Sequence, residues 1–168
     1  MVVAGWPDII ASALPRRGDV VVLVIDVEGQ GASMVRRLER SDVHAEEVDA
    51  AHVAGAVEDA DLVLVEAAAA GPAAALTDVG NLAMAATAKA LGKPAWLIAG
   101  VGRRVPEPYW QAIAERTTDR DLPPWLAPFE VLSMGLIDRV VTNDGLCLPA
   151  ELGPVDVPVA SELLRELA

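Results

Sequence analysis

Asp61-Leu62-Val63-Leu64-Val65-Glu66 sets an unbroken apolar run between two acids. A strand with one wet face alternates apolar and polar residues. This one does not, so it reads as a strand buried on both faces, as in parallel sheets covered by helices. Asp19-Val20-Val21-Val22-Leu23-Val24-Ile25-Asp26 has the same form, and Ala95-Trp96-Leu97-Ile98-Ala99 is a third run. Val43 to Val48 reads as a shorter strand.

Helical patterns fill the intervals. After Gly29 and Gly31, apolar Met34, Val35 and Leu38 alternate with charged Arg36, Arg37, Glu39 and Arg40. Asp49 is placed to cap a helix over Ala50 to Val57. Thr77 or Asp78 is placed to cap a helix from Gly80 to Leu91, which Gly92 stops. Strand and helix alternate, so the connections should be right-handed crossovers. The expected fold is α/β, with a doubly wound, largely parallel Rossmann-like sheet and helices on both faces.

The flanks are plainer. Residues 1–18 read as a lead-in helix, Trp6 to Leu14, closed by Pro15 and Gly18. An Ala/Gly/Pro loop follows Glu66. Residues 103–128 form an irregular segment containing a helix from Tyr109 to Arg116 and a loop over Leu122 to Trp125. A last strand, Leu136 to Thr142, enters the turn Asn143-Asp144-Gly145. Residues 155–168 form a tail with a helix from Ser161 to Leu167. With no repeat or linker, residues 1–168 read as one domain.

Composition bounds the function. Hydrophobic residues make up 53% and aromatic ones 4%, so the core is built from Ala, Val and Leu. The net charge of -12 leaves no basic face for nucleic acid or an anionic membrane. The single cysteine, Cys147, excludes an internal disulfide and a multi-cysteine metal site, and reads as an inert thiol between Leu146 and Leu148. No signal peptide and no long apolar span is present, so a cytoplasmic location is expected.

Ligands of doubly wound folds bind beyond the carboxyl ends of the strands. The candidate ligand-binding residues are therefore Asp26, Glu28, Gln30 and Gly31, then Glu66, Asp78 and Gly80, and Arg103. Gly29-Gln30-Gly31 can offer backbone amides to a phosphate, although Met34 breaks the dinucleotide spacing. Asp26, Glu66 and Asp78 can be imagined around magnesium, but acids at strand ends commonly cap helices. His44 and His52 read as surface or capping residues, and Arg103 and Arg104 as a solvated pair that can meet an anion.

Four stretches carry a resemblance. Ile25-Asp26 with Gln30-Gly31 is one. Val48-Asp49-Ala50-Ala51 through Asp61-Leu62-Val63-Leu64-Val65 is the second. Val79-Gly80 through Ala85-Ala86-Thr87-Ala88-Lys89-Ala90-Leu91-Gly92-Lys93-Pro94 is the third. Phe129-Glu130-Val131, Leu136-Ile137-Asp138 and Val140-Val141-Thr142 with Gly145 and Pro149 close the set. In this order they resemble, over roughly residues 20–150, the C-terminal Rossmann-like domain of one family. It holds the regulatory alpha, beta and delta subunits of eukaryotic initiation factor 2B, with isomerases of methylthioribose-1-phosphate and ribose-1,5-bisphosphate.

The departures are chemical. The family's Gly-Ala-Asp, whose Asp is the isomerases' acid/base, falls on Glu66-Ala67-Ala68, and Ala68 has no proton to give. Its substrate-holding Asn-Lys falls on Thr77-Asp78, an anion in place of a cation. The segment bearing the catalytic Cys is mostly absent. Loss of a general acid typically removes about 10²–10⁴-fold. The resemblance thus implies a reduced pseudoenzyme: a non-catalytic binding or assembly module without cofactor, acting as a homodimer or with a protein partner. Trp6, Trp96, Trp110 and Trp125 are candidate interface anchors. An alternative is a binder or enzyme for a phosphorylated small molecule, either sugar phosphate or nucleotide, at the strand ends. Val22 to Glu28 and Asp61 to Glu66 also resemble a phospho-receiver domain, which would gather Asp26, Glu28 and Glu66 in one magnesium-binding cleft.

Overall fold

The computed structural model describes residues 1–117 and 122–155. The chain opens with β1 (Val2–Ala4) and α1 (Asp8–Ala13), then β2 (Val21–Ile25), α2 (Gly31–Glu39) and β3 (His44–Val48). A 3₁₀ turn, Ala50–His52, leads into α3 (Val53–Asp59), and β4 (Val63–Glu66) follows. Next come β5 (Ala69–Ala70), β6 (Ala74–Asp78), α4 (Asn81–Leu91), β7 (Ala95–Ile98) and α5 (Glu107–Thr117). β8 (Phe129–Ser133), β9 (Arg139–Thr142) and β10 (Gly145–Cys147) complete the order.

Seven strands form the main sheet in the order β10-β9-β7-β4-β1-β2-β3, parallel except for the terminal β9–β10 hairpin. The expected doubly wound α/β architecture is therefore present. Its centre corrects the expectation for residues 1–18. The helix after Trp6 is there, but Val2–Ala4 before it is a strand, hydrogen-bonded in parallel to both β2 and β4. Val2 and Val3 are fully buried.

Strand periodicity divides the core. Val63 and Val65 face α3 and α4, where Ala56, Val57, Met84, Ala85 and Ala88 pack. Leu64 between them faces the other side, with Ile10 of α1, Leu14 just after it, and Met34 and Leu38 of α2. Small alanines on α4 let helix and sheet approach closely, as the scarcity of aromatic residues suggested.

The Ala/Gly/Pro loop after Glu66 is instead part of a second sheet. β5, β6 and β8 pair antiparallel, with Ala75 opposite Leu132 and Asp78 opposite Phe129. α5 docks on this small sheet, and Trp110 lies flat against Gly71; a Cβ at Gly71 would come within 2.4 Å of its ring. α5 therefore does not cover the main sheet beside β7, as a crossover helix normally does. The strand expected from Leu136 starts later, as β9 at Arg139, because Met134–Leu136 is a 3₁₀ turn capped by Ser133, and the turn after β9 leads into β10. The expected Ser161 to Leu167 helix lies outside the described residues.

Candidate functional site

The strand order reverses between β1 and β4, and the carboxyl ends there are where a doubly wound fold presents helix N-termini to ligands. In this chain each such terminus meets a carboxylate of the chain itself. Glu66, at the end of β4, accepts hydrogen bonds from the backbone amides of Ile9 (2.8 Å) and Ile10 (3.2 Å), opening α1. Asp26, just after β2, accepts one from Gly31 at the start of α2 (2.7 Å). Glu130 of β8 accepts one from Leu82 in the first turn of α4 (2.9 Å). These carboxylates supply the acceptors that a phosphate would otherwise bring.

Local sequence explains each plug. A side chain at Gly31 would approach Asp26 Oδ1 to 3.0 Å, so a glycine lets the carboxylate close on the amide. Gly80 precedes α4 at a φ of 92°, a left-handed conformation that glycine adopts without strain. Neither Thr77 nor Asp78 caps α4, contrary to expectation. The Asp78 carbonyl accepts from Asn81 Nδ2 (3.0 Å), and the cap arrives from Glu130 across the second sheet.

Arg103 also turns inward. Its guanidinium donates to the Ala68 carbonyl (3.3 Å) and lies 3.8 Å from Glu66 Oε1. The Glu66 side chain is only 12% exposed. Burial pushes its carboxyl above the ordinary value, outweighing the amides of Ile10 and Ile9 and the Arg103 charge. Arg104 donates to the Gly153 carbonyl, so both arginines are engaged by the protein.

The remaining candidates converge elsewhere. Glu28, Gln30 and Asp78 line a cavity of about 200 Å³ with Trp6 and Phe129. Glu28 holds a positive φ of 53°. Gly80 abuts this cavity through Val27, to which a Cβ would approach within 3.1 Å. Burial also raises the Asp78 carboxyl above its ordinary value; Arg103 opposes that shift, and Glu28 and Asp8 add to it. The eight candidates thus fall into two groups. Asp26, Gly31, Glu66 and Arg103 are engaged in internal contacts, while Glu28, Gln30 and Asp78 face a cavity that Gly80 borders.

Among the described residues, no group of three His, Cys, Asp or Glu side chains is arranged to hold a metal. A receiver-like cleft of Asp26, Glu28 and Glu66 is therefore not formed there. Ala67, Ala69, Ala70 and Ala75 are buried within the second sheet and its approach, so the loop after Glu66 folds inward. His44 is exposed beside Glu46, and His52 is exposed. The Cys147 thiol donates weakly to the Val140 carbonyl (3.6 Å). No helix among the described residues is long and apolar enough to cross a membrane.

Solved structures share this fold. The beta subunit of eIF2B from Chaetomium thermophilum superposes with a TM-score of 0.68 at 18% identity, over 88% of this chain and 46% of that one. The chain has the eIF2B-subunit fold. The Pyrococcus horikoshii OT3 translation initiation factor eIF-2B matches with a TM-score of 0.65 at 15% identity, over 88% of this chain and 58% of that one. A chain of the tetrameric eIF2B-beta2-delta2 complex from C. thermophilum matches at 0.68 and 18% identity, over 89% and 52%. The present chain thus spans about half the length of these eIF2B subunits. No protein-family model and no curated protein matches its sequence.

Two features of the site were missed from sequence. Glu130 caps a helix 48 residues away, and no local pattern announces such a partner. Phe129 joins the Asp78 cavity only because β8 pairs with β6.

Proposed function

We propose that this chain is a non-catalytic assembly module that works as a homodimer, built on the eIF2B-subunit fold. The observation that carries the reading is an apolar face of the main sheet. Leu62, Leu64, Trp96, Ile98 and Val141, with Ile9 of α1 at the edge, line an open groove of about 470 Å³. A parallel sheet normally has both faces covered. Here α5, which follows β7, packs on the second sheet instead, and this part of the main sheet is left uncovered among the described residues. An apolar face of this kind favours association, because joining two removes both from water.

Two further points support a role without catalysis. Ala68 stands where the resemblance expects the isomerases' acid, and Asp26, Glu66 and Glu130 fill the positions where a substrate phosphate would meet helix amides. One structural neighbour is a chain of a tetrameric complex, eIF2B-beta2-delta2, which makes assembly a natural use of this scaffold. A sugar-phosphate enzyme on the same strand ends has no comparable observation in its favour.

Sedimentation velocity at tens of micromolar tests the proposal. The expected result is a dimer, converted to a monomer by Trp96→Glu or Ile98→Lys with the far-ultraviolet circular dichroism unchanged. A wild-type chain that sediments as a monomer overturns it.

A further inference from the structure

Among the described residues the two sheets end in four strand edges, β3 and β10 on the main sheet and β5 and β8 on the second. An unpaired edge invites another chain to add a strand, and proteins blunt it with charge or brevity. β3 carries exposed Glu46 and Glu47, while β5 and β10 have only two and three residues. β8 has neither protection. It runs for five residues, and its one charged side chain, Glu130, is turned back to the Leu82 amide.

The register shows which main-chain groups line that edge. The Val79 amide donates to the Pro128 carbonyl (3.2 Å), and the Met134 amide donates to the Ala73 carbonyl (3.0 Å). Alternation then turns the backbone of Glu130 and Leu132 toward β6 as well. Phe129, Val131 and Ser133 therefore direct their N–H and C=O groups away from the sheet, where no strand pairs with them among the described residues. Apolar side chains stand beside this row. Val131 is 42% exposed, and Trp125 and Leu126, in a 3₁₀ turn just before the strand, are 79% and 61% exposed.

We infer that the β8 edge takes up an extended segment of a partner protein as a fourth strand of the second sheet. Outward N–H and C=O groups on every second residue match the period of an extended chain, whose main-chain bonds supply affinity with little demand on sequence. Side chains refine the choice. The incoming residue opposite Val131 shares its face, which favours a β-branched or aromatic partner. Trp125 is an aromatic anchor near one end of the strand. The net charge of -12 favours a segment flanked by Lys or Arg. The inference is independent of the dimer proposal, because the apolar groove lies on a face of the main sheet and this edge belongs to the second.

Nuclear magnetic resonance titration with a blocked peptide, Lys-Val-Thr-Val-Thr-Val-Lys, tests it directly. The Phe129, Val131 and Ser133 amides and the Trp125 indole N–H should shift saturably. The same peptide N-methylated on every amide between its two lysines keeps the side chains but cannot donate to the ladder, and it should not bind. Val131→Lys, which puts a charge on the edge, and Trp125→Ala should each weaken binding about tenfold. Both side chains are exposed, so the variants should keep the wild-type spectrum elsewhere. Val131→Lys should also leave the sedimentation of the protein alone unchanged. The inference is overturned if no saturable shift appears, if the methylated peptide binds as well, or if binding is unchanged in either variant. It is equally overturned if Val131→Lys alters sedimentation, which would put a second copy of the chain at this edge.

Discussion

The Glu66 carboxylate at the end of β4 accepts hydrogen bonds from the Ile9 and Ile10 amides and so closes the N-terminus of α1 from across the point where the strand order reverses. In a doubly wound fold that position ordinarily belongs to a ligand. Here a side chain of the protein fills it, and Asp26 and Glu130 do the same at α2 and α4. Three helices that open beyond the strand ends are thus capped by acids of the chain itself.

Removing the plug should therefore loosen the fold before it affects any activity. Glu66→Ala leaves two amides of α1 without their acceptor and should cost about 1–2 kcal/mol in urea unfolding. Glu66→Gln keeps an acceptor oxygen and should cost less. Equal losses in both variants would mean that the charge beside Arg103, not the cap, is what matters.

The same burial gives a pH signature with a definite sign. The carboxyls of Glu66 and Asp78 have folded pKa values above their ordinary 4.5 and 3.8. Between the ordinary and folded values the native state holds more protons than the unfolded chain, so stability falls as pH rises through that window. The contribution of these groups is greatest below the ordinary values and is lost once pH exceeds the folded ones. Melting temperatures of the wild type and of a Glu66→Gln, Asp78→Asn double variant, followed from about pH 4 to neutrality, should show the wild type losing ground to the variant. A gap that stays constant, or moves the other way, contradicts this.

Much of the frame was legible in the sequence because buried parallel strands are written as apolar runs. Val63–Glu66, Val21–Ile25 and Ala95–Ile98 all lie within runs of that kind, and each helix from α2 to α4 sits where its pattern placed it. β1 was not legible, because a strand of three residues is too short to establish a period. β5 and β6 were hidden by alanine, whose small side chain marks no face, and by Gly71 and Pro72, which read as a loop. The site divided along similar lines. Topology named the strand-end acids, but which of them cap helices and which face a cavity depends on long-range partners such as Glu130 and Phe129.

Thr77 is fully buried on β6, and its hydroxyl has no hydrogen-bond partner among the described residues. A buried hydroxyl left unsatisfied is unfavourable. Thr77→Val keeps the branched shape and removes the unpaired group, so it should stabilise the protein by about 1 kcal/mol. Chemical denaturation measures this, and a destabilised variant would show that the hydroxyl has a partner in solution.

Calorimetric titration of the wild-type protein with ribose-1,5-bisphosphate tests most directly whether the chain's own carboxylates have taken the place of a phosphorylated ligand. With Asp26, Glu66 and Glu130 on the helix amides, no saturable heat should appear up to millimolar ligand. Saturable binding of the sugar phosphate would contradict the account, because the anion would then have a site that these acids leave open.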